Sequence, residues 1–332
     1  MTTRGEDQFT TRDRANDRLR LSRRGVVKGA GALAAAAAMG SAMTGASSTA
    51  RAAAPGKVGH VTTSDGVSLH YLEAGAGKPL LMIPGWSQTA EQFKHQVAGL
   101  SDRYHVIALD MRGHGESDKP DHGYKIDRLA KDVRDVIYAL NLTDVNILGH
   151  SMGCSVIWNY WDLWGPDRLS KLLLIDQMPM ITSNPAWSEQ EIAEAGCIFT
   201  PESLYATVND LAGPNGVEVT RGFIGNMVTK TASEEVKNWI IERNLRMPRQ
   251  HAATLLYDHS TTDWRDTIPR LDRPSLVVGG RVSVVPWKSQ VWINQNVAGS
   301  RLEIFEENEG GNHFMFIEAY QKFNDILADF IA

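Results

Sequence analysis

Residues 146–154 read Asn-Ile-Leu-Gly-His-Ser-Met-Gly-Cys, and they decide how the rest of the chain folds. The apolar run at residues 145–148 predicts a buried strand, and helical spacing of apolar residues follows from Met152 to Trp164. Gly149 and Gly153 flank the turn between the two elements, because strand and helix pass too close there for side chains. Such a turn exposes the Ser151 hydroxyl beside the N-terminus of the helix, which makes Ser151 a candidate nucleophile.

Further apolar runs on both sides of this turn predict strands. Two alternating runs, 58–63 and 67–73, flank Ser64-Asp65-Gly66 and predict a β-hairpin. Continuous apolar runs of the buried parallel type predict the other strands at residues 79–83, 104–109, 172–175, 275–279 and 301–305. Apolar residues at helical spacing predict helices over residues 89–100, 126–140, 287–296 and 314–331. Together these elements predict an α/β fold: a mostly parallel, eight-stranded, doubly wound sheet.

The strand pattern stops between residues 177 and 266. Amphipathic stretches replace it at residues 188–195, 201–211, 217–227 and 234–245. The insertion comes after the sixth strand, on the side of such a sheet where ligands bind, so it predicts a helical cap over the site. The predicted organisation is a first core part at 53–176, the cap at 177–266 and a second core part at 267–332.

The first 52 residues predict an export signal that is removed. Residues 1–21 are polar and charged, Ser22-Arg23-Arg24-Gly25-Val26-Val27-Lys28 follows, and an Ala/Gly-rich run extends to about residue 46. That run is too short and too weakly apolar to span a membrane, and a small-residue cleavage site follows at Ala50-Arg51-Ala52. The pattern resembles a twin-arginine (Tat) signal. We expect the precursor to use the Tat machinery and the mature protein to be secreted or periplasmic; a disordered basic tail is the alternative.

Charge and cysteine content exclude some classes of partner. The whole chain has a net charge of −5, and removal of residues 1–52, with nine basic and four acidic side chains, leaves −10. Nucleic acid and anionic membrane surfaces are therefore not expected as partners. The two cysteines, Cys154 and Cys197, form no disulfide framework, and their pairing stays open. The sequence contains no Cys/His metal spacing, so neither a metal nor a cofactor is expected.

Four motifs resemble those of a known superfamily. They are Pro84-Gly85-Trp86, Asp110-x-Arg112-Gly113-His114-Gly115-x-Ser117, Gly149-His150-Ser151-Met152-Gly153 and Gly311-Asn312-His313-Phe314. Their order and spacing resemble the capped α/β hydrolases of the esterase, lactonase and haloperoxidase-like type. The resemblance extends over nearly all of the chain after residue 52. It is specific for the fold but not for any substrate.

The resemblance implies a serine nucleophile with a histidine base. Ser151 needs a base whose pKa lies near neutrality, and histidine is the usual residue. Among the ten histidines, His313 lies on the loop after the last strand, which in this superfamily reaches over the serine turn. Two backbone N–H groups must face the developing oxyanion. Met152, after the nucleophile, and Trp86, after the third strand, are expected to supply them.

The acid of the expected triad departs from the common pattern. In the superfamily it usually follows the seventh strand, in a stretch such as Gly-x-x-Asp-x-x-x-Pro, but residues 279–286 contain no carboxylate. Asp176, at the carboxyl end of the sixth strand, is the best replacement, because some relatives, including haloalkane dehalogenases and the zearalenone lactonase, carry their acid there. The alternatives are a dyad without an acid, or one of the carboxylates Glu306, Glu307, Asp258 and Asp263.

Other polar and aromatic residues are expected to serve the fold or the pocket. Asp110, Arg112 and His114 resemble a structural turn of the superfamily with internal hydrogen bonds. Tentative substrate-pocket residues are His150, Met178, Met180 and Trp187, and further candidates in the cap are Phe199, Tyr205, Met227 and Trp239. Packing of the cap onto the core is the alternative for about half of them.

The sequence as a whole predicts an exported serine hydrolase that cleaves an apolar carboxylic ester or lactone through an acyl-enzyme on Ser151. Aromatic and methionine residues in the cap favour a bulky apolar substrate. Hydrolysis of a C–C bond and perhydrolysis, as in the cofactor-free haloperoxidase-like relatives, are alternatives at the same site. A ligand-sensing protein with little turnover is a third hypothesis. Haloalkane dehalogenases and epoxide hydrolases use Asp at the position of Ser151 and are disfavoured.

Overall fold

Eight strands form one sheet in the computed structural model, which describes residues 56–332. The predicted export signal and its cleavage site lie outside these residues. The strands are β1 (Lys57–Thr62), β2 (Ser68–Ala74), β3 (Pro79–Ile83), β4 (His105–Leu109), β5 (Val145–His150), β6 (Leu169–Ile175), β7 (Ser275–Gly280) and β8 (Arg301–Phe305). Their order across the sheet is β1-β2-β4-β3-β5-β6-β7-β8.

Most neighbouring strands of this sheet are parallel. β1 pairs antiparallel with β2, and β2 pairs antiparallel with β4, whereas the pairs from β4 to β8 are parallel. The predicted eight-stranded, mostly parallel sheet is thus confirmed. β3, β5 and β7 are buried along their whole length. This agrees with their continuous apolar sequences, because both faces of a parallel sheet are covered.

Helices connect the strands and cover the sheet. They are α1 (Lys94–Leu100), α2 (Ile126–Ala139), α3 (Met152–Trp164), α4 (Glu189–Ala195), α5 (Pro201–Ala212), α6 (Gly216–Gly225), α7 (Glu234–Asn244), α8 (Arg249–Ser260), α9 (Trp287–Asn296), α10 (Met315–Glu318) and α11 (Tyr320–Ile331). The chain moves from β3 to β4 in one direction along the sheet and from β5 to β6 in the other. Right-handed crossovers therefore place α1 and α3 on opposite faces. α11 packs beside α1, and α2 packs beside α3.

Two helices differ in detail from the sequence prediction. The helix predicted over residues 89–100 begins with a 3₁₀ turn, Ala90–Phe93, before α1. The closing helix predicted over residues 314–331 is interrupted at Ala319, where φ is −125° and ψ is 38°. Directly after this break, the ring of Tyr320 stacks on His95 with the centroids 4.0 Å apart.

The segment between β6 and β7, where a cap is predicted, carries the five helices α4 to α8. Four of them match the predicted amphipathic stretches. α8 was missed by the sequence prediction because six of its twelve residues are buried, so its sequence does not divide into one apolar and one polar face. Within residues 56–332, no helix is both long enough and apolar enough to cross a membrane.

The topology brings the candidate functional residues to one edge of the sheet. β5 ends at the turn that carries Ser151, β6 ends one residue before Asp176, and β3 leads into Trp86. The loop after β8 carries His313. Because these strands are parallel, their carboxyl ends meet at the same edge, which is where open α/β sheets bind their ligands.

Candidate active site

Ser151 occupies a strained turn between β5 and α3. Its backbone has φ 52° and ψ −123°, a conformation that non-glycine residues rarely adopt. The Ser151 N–H donates to the Ile175 carbonyl at 2.8 Å, and the Cys154 N–H donates to the Ser151 carbonyl at 2.8 Å. A Cβ on Gly153 would lie 2.4 Å from the Ile83 carbonyl oxygen. Glycine is therefore required at Gly153, and the packed strands hold the strained serine in place.

Asp176 and His313 form a buried pair beside this turn. His313 Nδ1 donates to Asp176 Oδ2 at 2.7 Å, and the exposed fractions of the two side chains are 3% and 0%. This contact fixes the proton of a neutral His313 on Nδ1, so Nε2 carries a lone pair. The structure thus brings together the histidine and the carboxylate that the sequence singled out, although 137 residues separate them.

The Asp176 carboxylate has two further donors. The Gly280 N–H donates to Oδ1 at 3.1 Å, and the Ser283 hydroxyl donates to Oδ2 at 2.5 Å. Both donors belong to the stretch after β7 that lacks the usual acid. Here that stretch supplies hydrogen bonds to a carboxylate held by the neighbouring strand.

The other candidate acids lie in separate contacts. Asp258 accepts a hydrogen bond from the Ile126 N–H at 2.7 Å, and Asp263 pairs with Arg265 at 2.7 Å. Glu306 pairs with Arg281 at 2.7 Å on the surface, and Glu307 is exposed. None of the four carboxylates contacts His313.

Ser151 and His313 line the same cavity. No hydrogen bond within 3.5 Å joins Ser151 Oγ to the His313 ring in the described part of the chain, and both Oγ and Nε2 keep access to the cavity. Nucleophile–base contacts often tighten only when substrate is bound. A molecule bound in the cavity would therefore face both the Ser151 hydroxyl and the oriented imidazole of His313.

The loop after β3 places a free backbone N–H near Ser151. The N–H groups on either side of Trp86 are occupied: that of Gly85 donates to Gln88 Oε1 at 2.9 Å, and that of Ser87 donates to His114 Nε2 at 3.1 Å. The Trp86 N–H between them has no acceptor among residues 56–332. A Cβ on Gly85 would lie 3.0 Å from Ser151 Cβ, so this loop passes directly beside the nucleophile.

A second donor comes from α3. The Met152 N–H is the first of the helix, so no carbonyl of α3 can accept its hydrogen bond. The side chain of Trp86 is fixed by its Nε1–H, which donates to the Ala252 carbonyl of α8 at 2.7 Å. The two expected oxyanion donors, the Trp86 and Met152 N–H groups, therefore belong to the two segments beside Ser151.

His150 connects the Trp86 loop to the His313 loop. Its Nδ1 lies 2.8 Å from Gln88 Oε1, and its Nε2 lies 2.8 Å from the backbone carbonyl of His313. Burial, and secondarily the neighbouring His313, hold the pKa of His150 well below its usual value. A neutral imidazole donates from only one nitrogen, so only one of these two contacts is a hydrogen bond at a time.

The segment with Asp110, Arg112 and His114 is a buried structural turn, as the resemblance implied. Asp110 accepts hydrogen bonds from His70 Nδ1 at 2.7 Å and from the Ala90 N–H at 2.6 Å. Arg112 pairs with Asp132 at 2.6 Å. His114 Nδ1 donates to the Arg112 carbonyl at 2.8 Å, while its Nε2 accepts from the Ser87 N–H. The turn therefore stabilises the loop that carries Trp86, through the hydrogen bond between the Ser87 N–H and His114 Nε2.

Two buried histidines, His114 and His259, predict that the fold loses stability at acidic pH. Burial lowers the pKa of His114 from 6.5 to about 4 and that of His259 to about 3. Below pH 6.5 the unfolded chain binds protons that the folded chain does not accept until pH 4 or 3. The contribution of these histidines to the free energy of unfolding should therefore be fully present above pH 6.5. It should fall as the pH drops to 4, by up to about 1.4 kcal/mol per pH unit for each histidine.

Chemical unfolding measured at pH 7, 6 and 5 checks this prediction. His114→Asn should give a shallower loss of unfolding free energy between pH 7 and 5 than the unsubstituted chain, whatever its stability at pH 7. If the unfolding free energy falls equally with pH in both proteins, His114 does not contribute to the acid sensitivity.

The cavity contains about 480 Å³ of empty space, part of it open to solvent. Its lining residues come from the core and from the segment between β6 and β7: Trp86, Gln88, Ser151, Gln177, Met178, Ile181, Ile198, Phe199, Phe223, Ile224, Met227, Leu256, His259, Val284, Val285 and His313. Most of them are apolar, and none is Asp, Glu, Lys or Arg. A neutral and largely apolar ligand fits such walls best.

The structure places only some of the expected pocket residues in this wall. Met178, Phe199 and Met227 line the cavity, whereas Met180, Trp187 and His150 do not. The ring of Trp187 lies under the Arg265 guanidinium, 3.9 Å from the ring centroid, and His150 is buried behind the cavity. Met180 is partly exposed and its N–H bonds to Ala195. Their positions follow from long-range packing that sequence spacing does not reveal.

Two other pocket candidates also lie elsewhere. Tyr205 is 56% exposed, and its ring packs against Tyr257. Trp239 packs under the ammonium of Lys94, 3.9 Å from the ring centroid. Neither aromatic side chain therefore lines the cavity.

Sequence reasoning missed three polar residues of the wall, Gln88, Gln177 and His259. Gln177 directly follows Asp176, and that adjacency was a usable signal. His259 lies near the end of α8, the helix that the sequence did not reveal. Cys154 and Cys197 are both free thiols. Among residues 56–332, no group of His, Cys, Asp and Glu side chains has the arrangement of a metal site.

Comparisons with known proteins agree with this geometry. Residues 78–196 match the family described as alpha/beta hydrolase fold. The chain is 30% identical over 234 residues to a non-heme haloperoxidase of Rhodococcus erythropolis, an alignment that covers 66% of this chain and 80% of the relative.

Solved structures give the same result. The chain is similar to an esterase from Exiguobacterium antarcticum, with a TM-score of 0.75 and 27% identity over 82% of this chain and 98% of that one. It is also similar to an enol-lactonase from Burkholderia xenovorans, with a TM-score of 0.70 and 20% identity over 82% and 99% of the two chains. The second likeness concerns the fold alone.

Proposed function

The chain belongs to the α/β-hydrolase superfamily, and from this premise we propose that it is a serine hydrolase that cleaves a neutral, apolar carboxylic ester or lactone. The observation that carries the proposal is the position of His313. Its Nδ1 is bound to the buried Asp176, while its Nε2 faces the cavity that also contains the strained Ser151. This is the arrangement of a nucleophile, a base and an orienting acid.

In the proposed mechanism, Ser151 Oγ attacks the carbonyl carbon while His313 Nε2 takes the hydroxyl proton. Asp176 holds the Nδ1–H and stabilises the imidazolium that forms. The Trp86 and Met152 N–H groups donate to the oxyanion of the tetrahedral intermediate. The imidazolium then protonates the leaving alkoxide. A water molecule, deprotonated by His313, attacks the acyl-enzyme and releases the acid.

The walls of the cavity support the proposed substrate class. Met178, Ile181, Phe199, Phe223 and Met227 are among the apolar side chains that would contact the acyl or alcohol group. Without a lysine or arginine among the lining residues, a carboxylate substituent would lose its hydration and find no partner cation. Neutral substrates should therefore be preferred over acidic ones of equal size.

Hydrolysis assays on the purified protein test this proposal. A series of p-nitrophenyl esters from acetate to decanoate and a panel of aliphatic lactones should include good substrates. A p-nitrophenyl ester that carries a terminal carboxylate should be poor beside its methyl-ester counterpart. No turnover of any ester or lactone would contradict the proposal and would favour C–C bond hydrolysis or ligand binding.

Perhydrolysis is a second candidate function, because the similar Rhodococcus erythropolis protein is named a non-heme haloperoxidase. In this reaction hydrogen peroxide, instead of water, attacks the acyl-enzyme on Ser151. Peracid formed from acetate and peroxide would oxidise bromide, and monochlorodimedone reports this reaction. A peracid rate that exceeds ester hydrolysis at equal acyl-enzyme concentration would favour the second function.

We also propose that residues 1–52 direct export by the Tat pathway. The support is the sequence Ser22-Arg23-Arg24-Gly25-Val26-Val27-Lys28 followed by the Ala/Gly-rich run. In a bacterial host, the full-length chain should reach the periplasm or medium and be cleaved near residue 52. Replacement of both Arg23 and Arg24 by lysine should stop this export. Unchanged export of the double variant would exclude the Tat route.

A further inference from the structure

Gln177 is a buried polar residue of the cavity wall to which the catalytic cycle assigns no role. It directly follows Asp176 and is 2% exposed. In the structure its carboxamide Nε2 lies 3.2 Å from Ser155 Oγ and 3.2 Å from His259 Nε2. The other end has no hydrogen-bond partner among residues 56–332 and is not enclosed by protein atoms. It therefore faces the cavity that holds Ser151 and His313.

The neighbours decide which end of the carboxamide faces the cavity. With the NH₂ group placed on Ser155 and His259, the His259 proton lies on Nδ1, which is buried without a partner, and the Ser155 hydroxyl proton also lacks an acceptor. A 180° rotation of the carboxamide removes both defects. Its oxygen, with two lone pairs, then accepts from the Ser155 O–H and from the His259 Nε2–H. Because unpaired buried donors are costly, the rotated arrangement is favoured.

In this arrangement the NH₂ group of Gln177 points into the cavity as a donor. The surrounding wall is neutral. Burial lowers the pKa of His259 to about 3, so its imidazole carries no charge at neutral pH. The other lining residues near it are apolar side chains such as Leu256 and Met178. A neutral donor in an apolar wall pairs best with a neutral oxygen acceptor.

We propose that Gln177 is a specificity-determining residue whose carboxamide N–H donates to a second carbonyl oxygen of the substrate, away from the bond that is cleaved. This inference rests on the proposed ester or lactone hydrolysis. It narrows the substrate class to bifunctional molecules, in which a keto or amide oxygen accompanies the ester or lactone. A substrate without this oxygen leaves the NH₂ group desolvated and unpaired, which lowers its kcat/KM.

Matched p-nitrophenyl esters test the proposal. The 4-oxo- and 5-oxohexanoates carry the second carbonyl, hexanoate lacks it, and the 5-methylhex-5-enoate replaces the 5-oxo oxygen by a methylene group of similar shape. In the unsubstituted enzyme, kcat/KM for the better oxo ester should exceed that for hexanoate by roughly 10–100-fold. The 5-methylhex-5-enoate should resemble hexanoate, because it offers no acceptor.

Gln177→Leu, which removes the amide with little change in size, should bring the oxo-to-hexanoate ratio close to one. The ratio is measured within a single enzyme preparation, so it does not depend on the fraction of folded protein or on an effect on the adjacent Asp176. An oxo-to-hexanoate ratio of kcat/KM that stays unchanged in Gln177→Leu would overturn this inference but not the proposed function. The same holds if the unsubstituted enzyme prefers neither oxo ester to hexanoate. No hydrolysis of any of the four esters would overturn the proposed function, and the inference with it.

Discussion

Replacing Ser151 by alanine is expected to reduce kcat for p-nitrophenyl butyrate hydrolysis by roughly 10⁶-fold, which leaves only the residual rate that substrate binding and the oxyanion donors provide. The φ of 52° holds the serine hydroxyl on an exposed turn, where it shares the cavity with an imidazole oriented by Asp176. The remaining lining residues include no cysteine, lysine or threonine that could attack the ester instead. Loss of this one oxygen should therefore remove the covalent route.

Two measurements make the Ser151 result specific. A fluorophosphonate should add one phosphonyl group to the unsubstituted chain and none to Ser151→Ala, as read by mass spectrometry. Cys154→Ala is the matched control, because Cys154 lies in the first turn of α3, only three residues after Ser151. Its thiol contacts the Gly149 carbonyl at 3.0 Å, and burial raises its pKa far above the usual value. Labelling or turnover that survives in Ser151→Ala would identify another nucleophile.

The sequence predicted those parts of the molecule that depend on neighbouring residues. Continuous apolar runs reveal β3, β5 and β7 because burial of a parallel strand constrains every residue in it. The serine turn also leaves a local pattern, because Gly149, Ser151 and Gly153 are close in sequence, although the Ile83 carbonyl that excludes a Cβ at Gly153 belongs to β3. Such constraints leave a pattern within ten residues, so they can be read without a structure.

The contacts that complete the site depend on distant parts of the chain. Ser283 reaches Asp176 because β6 and β7 pair in a register that sets Ile175 opposite Val278. No local pattern in residues 279–286 shows that a serine there binds a carboxylate 107 residues earlier. For the same reason, the sequence left the acid open between Asp176 and four other carboxylates.

Side-chain positions in the segment between β6 and β7 were predicted less well than those in the sheet. Trp187 was a pocket candidate because aromatic residues often line apolar sites, yet its ring packs under Arg265. His259 was not a candidate, although it lines the cavity. The direction in which a side chain of this segment points depends on how its five short helices pack together, and the spacing of apolar residues does not fix that packing.

Asp176→Asn is expected to lower kcat/KM for ester hydrolysis by roughly 10³–10⁴-fold at pH 7. The carboxylate receives the Gly280 N–H on Oδ1 and the His313 Nδ1–H on Oδ2. The Gly280 N–H can only donate, whereas Ser283 Oγ and His313 Nδ1 can also accept. The asparagine oxygen will therefore face Gly280, and its NH₂ group will face Ser283 Oγ and His313 Nδ1. Nδ1 must then accept, the proton moves to Nε2, and His313 can no longer take a proton from Ser151. The defect is therefore one of tautomer, with the fold preserved.

Three control variants separate this explanation from others. Ser283→Ala removes one donor to the carboxylate but keeps its contact with His313, so its kcat/KM should fall by less than about tenfold. Asp258→Asn and Glu306→Gln should stay near the unsubstituted value, because neither carboxylate contacts His313. If Asp176→Asn stays within tenfold of the unsubstituted enzyme while its melting temperature is unchanged, His313 works without an acid. The buried pair would then serve the fold, and Asp176 would be retained because the donors of Gly280 and Ser283 need an acceptor.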